Sequence, residues 1–553
     1  VTMKWWDGLW LNESFATYFG YYILGKLESF EDWGLYFSQE VKNRAFEQDQ
    51  SCTTHPIVFH CEDTNSAFAS FDAITYEKAA SIVHQLIYQL SEESFRAGIN
   101  QYLTHHAHGV TELDDLLRAL QSHTSIDLKT WSDQWLRSEN LNTVEPSWQE
   151  NDGLIRRFIL KQTAPDSSPV LRDHHTRIAL YGEPTNEDAQ LLPYRVLDIQ
   201  YSGEITEIPE LVDQPAPFFV YCNHSDFDYV KTNLDTKSLK YLRSVYPRLA
   251  EDLTRQLVAN SLWNMVLDIK ISPLDYIDLA MEFEETEPNK IIAVFLLNTL
   301  RQAMLRFVPI QYRGSILAKL FSRSWARITD KNLNYERKCV WYSILIHSIS
   351  SNKQCEDLIQ ALKQGCIESF ELDLDQRWRL TRHLAYYRHV QAPSIVDEMQ
   401  QLDPGDLGIK YALEATSALR RDKKTLFGEI LNSKEISSDL SRAKMQSLFH
   451  PLQANECEEL VPDYFTQLRH VFLERDKIFS RDFSKLLYPF PFKHQARDLT
   501  IQLLQDQDSI PFLMVRSLKE NLEEVLRCLK IEETFFSLTK GGEQNFSMDS
   551  SRR

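Results

Sequence analysis

Apolar residues recur at helical spacing from the start of the chain. Trp10-Leu11, Phe15, Tyr18-Phe19 and Tyr22-Ile23 lie along one side of a 3.6-residue period, which predicts a helix. Ala79-Ala80, Val83, Leu86-Ile87 and Leu90 repeat the pattern, and Leu113, Leu116-Leu117 and Leu120 give a third helix over residues 112–121. Trp131 to Leu136 closes this aromatic-rich zone, residues 1–142. The rhythm then changes. Phe158-Ile159-Leu160, Ile178-Ala179-Leu180, the run from Tyr194 to Ile199 and Phe218-Phe219-Val220 are short β-prone segments. Turn residues such as Asp152-Gly153, Gly182-Glu183-Pro184 and Gly203 separate them. The pattern predicts a small β-sandwich domain with its linker over residues 143–234. From 235 to 538 the helical period returns, with Leu253, Leu257, Leu262 and Val266 marking one helix and Ile291-Ile292, Phe295-Leu296, Leu300 and Met304 another. Helices with short polar breaks over that length predict an α-solenoid, although no repeat of fixed period is visible. The polar tail 539–553 reads as disordered.

Composition agrees with a mainly α, multidomain fold. Glycine is 16 of 553 residues, against a usual share of about 7%. The net charge of −19 repels phosphate backbones and argues against a nucleic-acid partner. No apolar run is long enough for a membrane span. Eight scattered cysteines with no CxxC do not form a disulfide framework, and a cytoplasmic, reducing compartment is the default expectation. Sequons begin at Asn12, Asn223 and Asn545; the first falls in a predicted helix, so they read as coincidence rather than glycosylation.

The histidines contain no H-E-x-x-H pair, which would place two imidazoles and a carboxylate base on one helical face. His105, His106 and His108 cluster in THHAHG, but their spacing suits a helix end better than a compact zinc ligand set. The first twenty residues, VTMKWWDGLWLNESFATYFG, are more informative. By composition they describe an aromatic helix with a surface Glu13. As a string they resemble the segment after the zinc motif in the aminopeptidase N family, the gluzincin-type zinc aminopeptidases of the bacterial aminopeptidase N type. Residues 71–80, FDAITYEKAA, resemble the family's I-x-Y-x-K-G-A segment, and His55-Pro56-Ile57 resembles a short stretch between the two motifs. WSDQWLRSENLNTVEP is similar to the end of the family's catalytic domain. Gly8 stands where many relatives carry an acidic or polar residue, and Ala79 replaces the usual glycine.

The resemblance implies the carboxy-terminal part of a thermolysin-like catalytic domain, followed by the β-sandwich and the helical domain. It implies that Glu13 is the third ligand of one Zn2+ per complete catalytic domain. It also implies that the Tyr76 hydroxyl donates to the oxyanion of a tetrahedral intermediate. The substrates implied are peptides with a free amino terminus, shortened one residue at a time. The family's segment between its second zinc histidine and V-T-M-x-W-W is short. The chain is therefore identified as an amino-terminally truncated member beginning just after the histidine motif, without the two histidine ligands or the general base, and inactive by itself. The alternative from another class is a non-enzymatic α-solenoid module that binds peptides or proteins.

Overall fold

The computed structural model describes residues 1–27, 30, 32–61, 71–184, 190–433 and 436–536. The tail 539–553 and the sequon at Asn545 lie outside the described residues. The chain divides into two compact units. One gathers residues 1–271 with 278–296, and the other gathers 272–277 with residues from 297 on.

Among the described residues, the helices that open the first unit include α1 (Leu9–Gly25), α2 (Asn43–Asp49), α3 (Ala79–Leu90), α4 (Glu92–His105), α5 (Leu113–Gln121) and α6 (Leu128–Trp135). The apolar face of α1 (Trp10, Leu11, Tyr18) meets Ile82, Val83 and Leu86 of α3, and Leu116, Leu120, Trp131 and Trp135 complete the same core. Each helix closes a stripe that would otherwise face water, so the 3.6 period read from the sequence becomes a shared interior. Two π-turns interrupt the α geometry, Phe37–Lys42 leading into α2 and Ile74–Lys78 leading into α3. In the second, the Lys78 N–H reaches back five residues to the Ala73 carbonyl at 2.8 Å. Ala79 begins α3 with its methyl group fully buried. Gly8 is explained by packing, because a Cβ there would meet Met3 Cβ at 2.9 Å.

Seven strands follow: β1 (Thr143–Asn151), β2 (Leu154–Thr163), β3 (His174–Tyr181), β4 (Arg195–Tyr201), β5 (Ile205–Glu207), β6 (Phe219–Cys222) and β7 (Lys231–Thr232). They form sheets of order β5-β2-β1-β7 and β4-β3-β6, antiparallel except where β1 and β7 run parallel. Alternate residues of both sheets, among them Val144, Phe158, Leu160, Ile178, Leu180 and Val220, point into one core. This is the sandwich expected from the period-two runs. After β6 the backbone turns sharply, with Asn223, Ser225 and Asp226 all at positive φ. Asn223 is buried and its amide donates to the Asp228 carbonyl, so its sequon sits in a packed turn.

The second unit is helical. Helices such as Arg313–Thr329, Tyr335–His347, Asn352–Gln364, Leu374–Tyr386 and Asp406–Leu419 succeed one another across short polar turns, ending with Phe512–Phe536. The turns carry the expected caps. Ser351 with Gln354, and Asp373 with Gln376, form capping boxes, and Asp422 and Asp476 accept from first-turn N–H groups. A core of Leu426, Met445, Tyr464, Leu468, Phe483 and Met514 fills its later part. Among the described residues no single helix is long and apolar enough to cross a bilayer.

Candidate active site

Glu13 lies on α1, one residue before the buried Ser14, and its side chain is half-buried rather than part of the core. Tyr76 lies in the π-turn that leads into α3, also half-buried. The packing of α1 on α3 brings the two together although 63 positions separate them in the sequence. The Tyr76 phenol lies near enough to Glu13 to feel its negative charge. Burial, then the negative charges of Glu13 and Glu77, push the Tyr76 phenol above its ordinary value, so it keeps its proton at neutral pH and can donate. Phe71 packs beside Tyr76 with ring centres 6.3 Å apart, and Trp6 meets Phe71 edge-on at the same distance. An aromatic wall therefore borders the Glu13–Tyr76 pair.

The residue after next, Lys78, points the opposite way, into the interior. Its ammonium donates to Asp49 Oδ1 at 2.9 Å, and both side chains are shut off from solvent. Asp49 also accepts from Thr54 Oγ1 at 2.8 Å, the Asn140 N–H at 3.0 Å and the Tyr229 hydroxyl at 3.3 Å. A single carboxylate thus ties the Tyr76 turn to the segment after α6 and to the strand region beyond β6. Farther along α3, Gln85 donates to Asp228 at 2.9 Å, and Asp228 also holds the buried His174. Tyr88 stacks on Phe227 with ring centres 4.1 Å apart and bonds Asp198 on β4. The sandwich is thereby a mount for the helix that follows Tyr76. Asp49, Asp228 and Asp198 carry no local sequence signal, since the bonds that matter here run to partners distant in the chain.

On the amino side of the turn, Asp72 Oδ1 accepts the Ile74 N–H at 3.0 Å, and the Asp72 carbonyl accepts the Tyr76 N–H at 3.3 Å. His55 Nε2 lies 3.1 Å from Asp72 Oδ2, so the H-P-I stretch is built into the same turn.

The described residues do not complete a metal centre. No three His, Cys, Asp or Glu side chains gather as a ligand set among them. Glu13 offers one carboxylate, whereas a catalytic zinc takes three protein ligands. The residues present therefore do not by themselves fit the ion. His105 ends α4 with Nδ1 at 3.0 Å from the Gln101 carbonyl, the helix-end placement expected of it.

Two family models match the chain. The Peptidase family M1 domain matches residues 1–135, and the ERAP1-like C-terminal domain matches residues 219–527. The chain belongs to the aminopeptidase N family of M1 peptidases. Glu13 and Tyr76 both lie inside the M1 match. An aminopeptidase N of Streptomyces lividans is 28% identical over 503 residues, 88% of this chain and 58% of that protein. A leucyl aminopeptidase of Saccharolobus solfataricus is 37% identical over 149 residues, which is 27% of this M1 chain and 19% of the relative. A mitochondrial aminopeptidase 2 of Saccharomyces cerevisiae is 31% identical over 156 residues, 28% of this chain and 16% of its own. The M1 chain thus spans less than two-thirds of the length of each of these relatives.

Proposed function

We propose that these residues work as part of a zinc-dependent aminopeptidase that removes single amino-terminal residues from peptides. In this reading Glu13 is one metal ligand and Tyr76 is the oxyanion donor. The two histidine ligands and the general base come from outside residues 1–553. The observation that supports it is the nearness of Tyr76 to Glu13 across the packing of α1 on the 74–78 turn, inside the segment matched by the M1 model. The printed names of the relatives, all three aminopeptidases, point to the same reaction class.

Zinc, when bound, would supply an activated water and polarise the scissile carbonyl. The chain's own contribution is separate from that. Tyr76 holds its proton at neutral pH, so its hydroxyl can donate to an oxygen as negative charge develops there.

Residues 1–553 alone are expected to retain no stoichiometric zinc after dialysis and to leave an alanyl anilide intact. Metal analysis and a turnover assay test this, and tight zinc with steady hydrolysis by these residues alone would overturn the reading.

A further inference from the structure

Tyr76 can act only if its hydroxyl is held, and the holding is local. The π-turn Ile74–Lys78 has an unusual hydrogen-bond pattern that ordinary helix propensity does not specify. Asp72 supplies what propensity lacks. Its carboxylate accepts the Ile74 N–H and its carbonyl accepts the Tyr76 N–H, so both ends of the peptide leading to Tyr76 are tied to one residue. His55 in turn ties Asp72. Its Nε2 lies 3.2 and 3.1 Å from the two carboxylate oxygens, its Nδ1 lies 2.7 Å from the Pro56 carbonyl, and Phe59 packs edge-on against its ring at 5.2 Å. Both groups are mostly withdrawn from solvent, 20% and 12% exposed, so water competes weakly for these bonds.

We propose that Asp72 and His55 are positioning residues for Tyr76, Asp72 by setting the first bonds of the π-turn and His55 by fixing the Asp72 carboxylate. The inference rests on the reading of Tyr76 as the oxyanion donor. Neither residue touches the Tyr76 hydroxyl; each acts through the backbone that carries it. Asp72→Ala removes the acceptor for Ile74 and frees the turn. Asp72→Asn keeps an oxygen there and rescues the geometry.

The test uses the complete enzyme with two readouts: steady-state kinetics, and the ring chemical shifts of labelled tyrosine assigned with Tyr76→Phe. Asp72→Ala is expected to lower kcat about tenfold to a hundredfold, as a small displacement of a catalytic group does. KM should stay within about twofold. The Tyr76 ring resonances should shift as the ring moves against Phe71. Asp72→Asn is expected to restore most of the lost turnover. His55→Phe, which keeps the ring against Phe59 but loses both bonds, is expected to lower kcat several-fold and carries the test if Asp72→Ala does not fold. Unmoved Tyr76 ring resonances with unchanged kcat in Asp72→Ala, or in His55→Phe where that variant stands in for it, would overturn the inference. If Tyr76→Phe leaves turnover intact while Asp72→Ala still moves the Tyr76 ring resonances, the positioning stands and the functional reading falls instead.

Discussion

Replacing Lys78 by methionine isolates one buried interaction at nearly constant volume. In the native chain the ammonium meets Asp49 Oδ1 at 2.9 Å, with the two side chains 1% and 0% exposed. Removing one partner of a buried pair costs about 3–5 kcal/mol, because the remaining charge stays desolvated. Asp49 would keep three neutral donors, from Thr54, Asn140 and Tyr229, and the positive charge of Arg172 nearby. Those partners place the expected loss at the lower end, about 3 kcal/mol. A chain of several domains has no single unfolding free energy, so the assay should be local. Amide hydrogen exchange along α3 reports its opening directly, and about 3 kcal/mol corresponds to roughly 150-fold faster exchange. The helix Phe512–Phe536, which belongs to the other unit, is the internal control and should be unchanged. Adding Asp49→Leu to Lys78→Met should recover part of the loss, since no unpaired charge then remains. If Lys78→Met speeds α3 exchange by less than about threefold, the pair does not anchor the Tyr76 turn.

Other substitutions test separate parts of the molecule. In the complete enzyme, Tyr76→Phe should lower kcat by about a hundredfold to a thousandfold with zinc retained, and Glu13→Gln should lower zinc retention against a chelator. His347, His383 and His450 are buried in the helical unit, and burial pushes each below its ordinary value, His450 to about 3. The folded unit therefore keeps them neutral while the unfolded chain takes up protons below pH ~6.5. Stability should fall as pH drops below that point, by up to about 1.4 kcal/mol per pH unit for each histidine. Melting curves between pH 4 and 7 should show the fall, and His383→Gln should flatten it by about a third. Gly408→Ala would place a Cβ 1.9 Å from the Asp403 carbonyl oxygen. The melting temperature of the helical unit should drop, by an amount equivalent to about 1–3 kcal/mol or more.

The large-scale architecture was legible because it rests on short-range periodicity. Trp10, Leu11 and Tyr18 announce one helix face, Ile178 and Leu180 one strand face, and the structure buries each set as the period requires. Glu13 and Tyr76 were legible only through their motif context, since a carboxylate and a phenol on partly exposed turns have no periodic signature. What remained hidden is the frame that holds them. Asp49 reaches Tyr229 across 180 positions, and Lys42 donates to Asp226 across 184. Such partners leave no trace in local spacing. The π-turn was also invisible, because the apolar residues on either side of it still fit a helical rhythm when each stretch is read alone.

That turn fixes a relation between chain length and chemistry. A π-turn carries one residue more than the α-helix it leads into, and one residue corresponds to about 100° of rotation about the helix axis. Deleting one residue between Tyr76 and Ala79 would close the turn into ordinary helix and swing Tyr76 by roughly a quarter of a circle relative to the buried face of α3. Side chains in this stretch can be exchanged and some geometry kept, but its residue count cannot change. Alignments of homologous chains should therefore show substitutions here and no gaps.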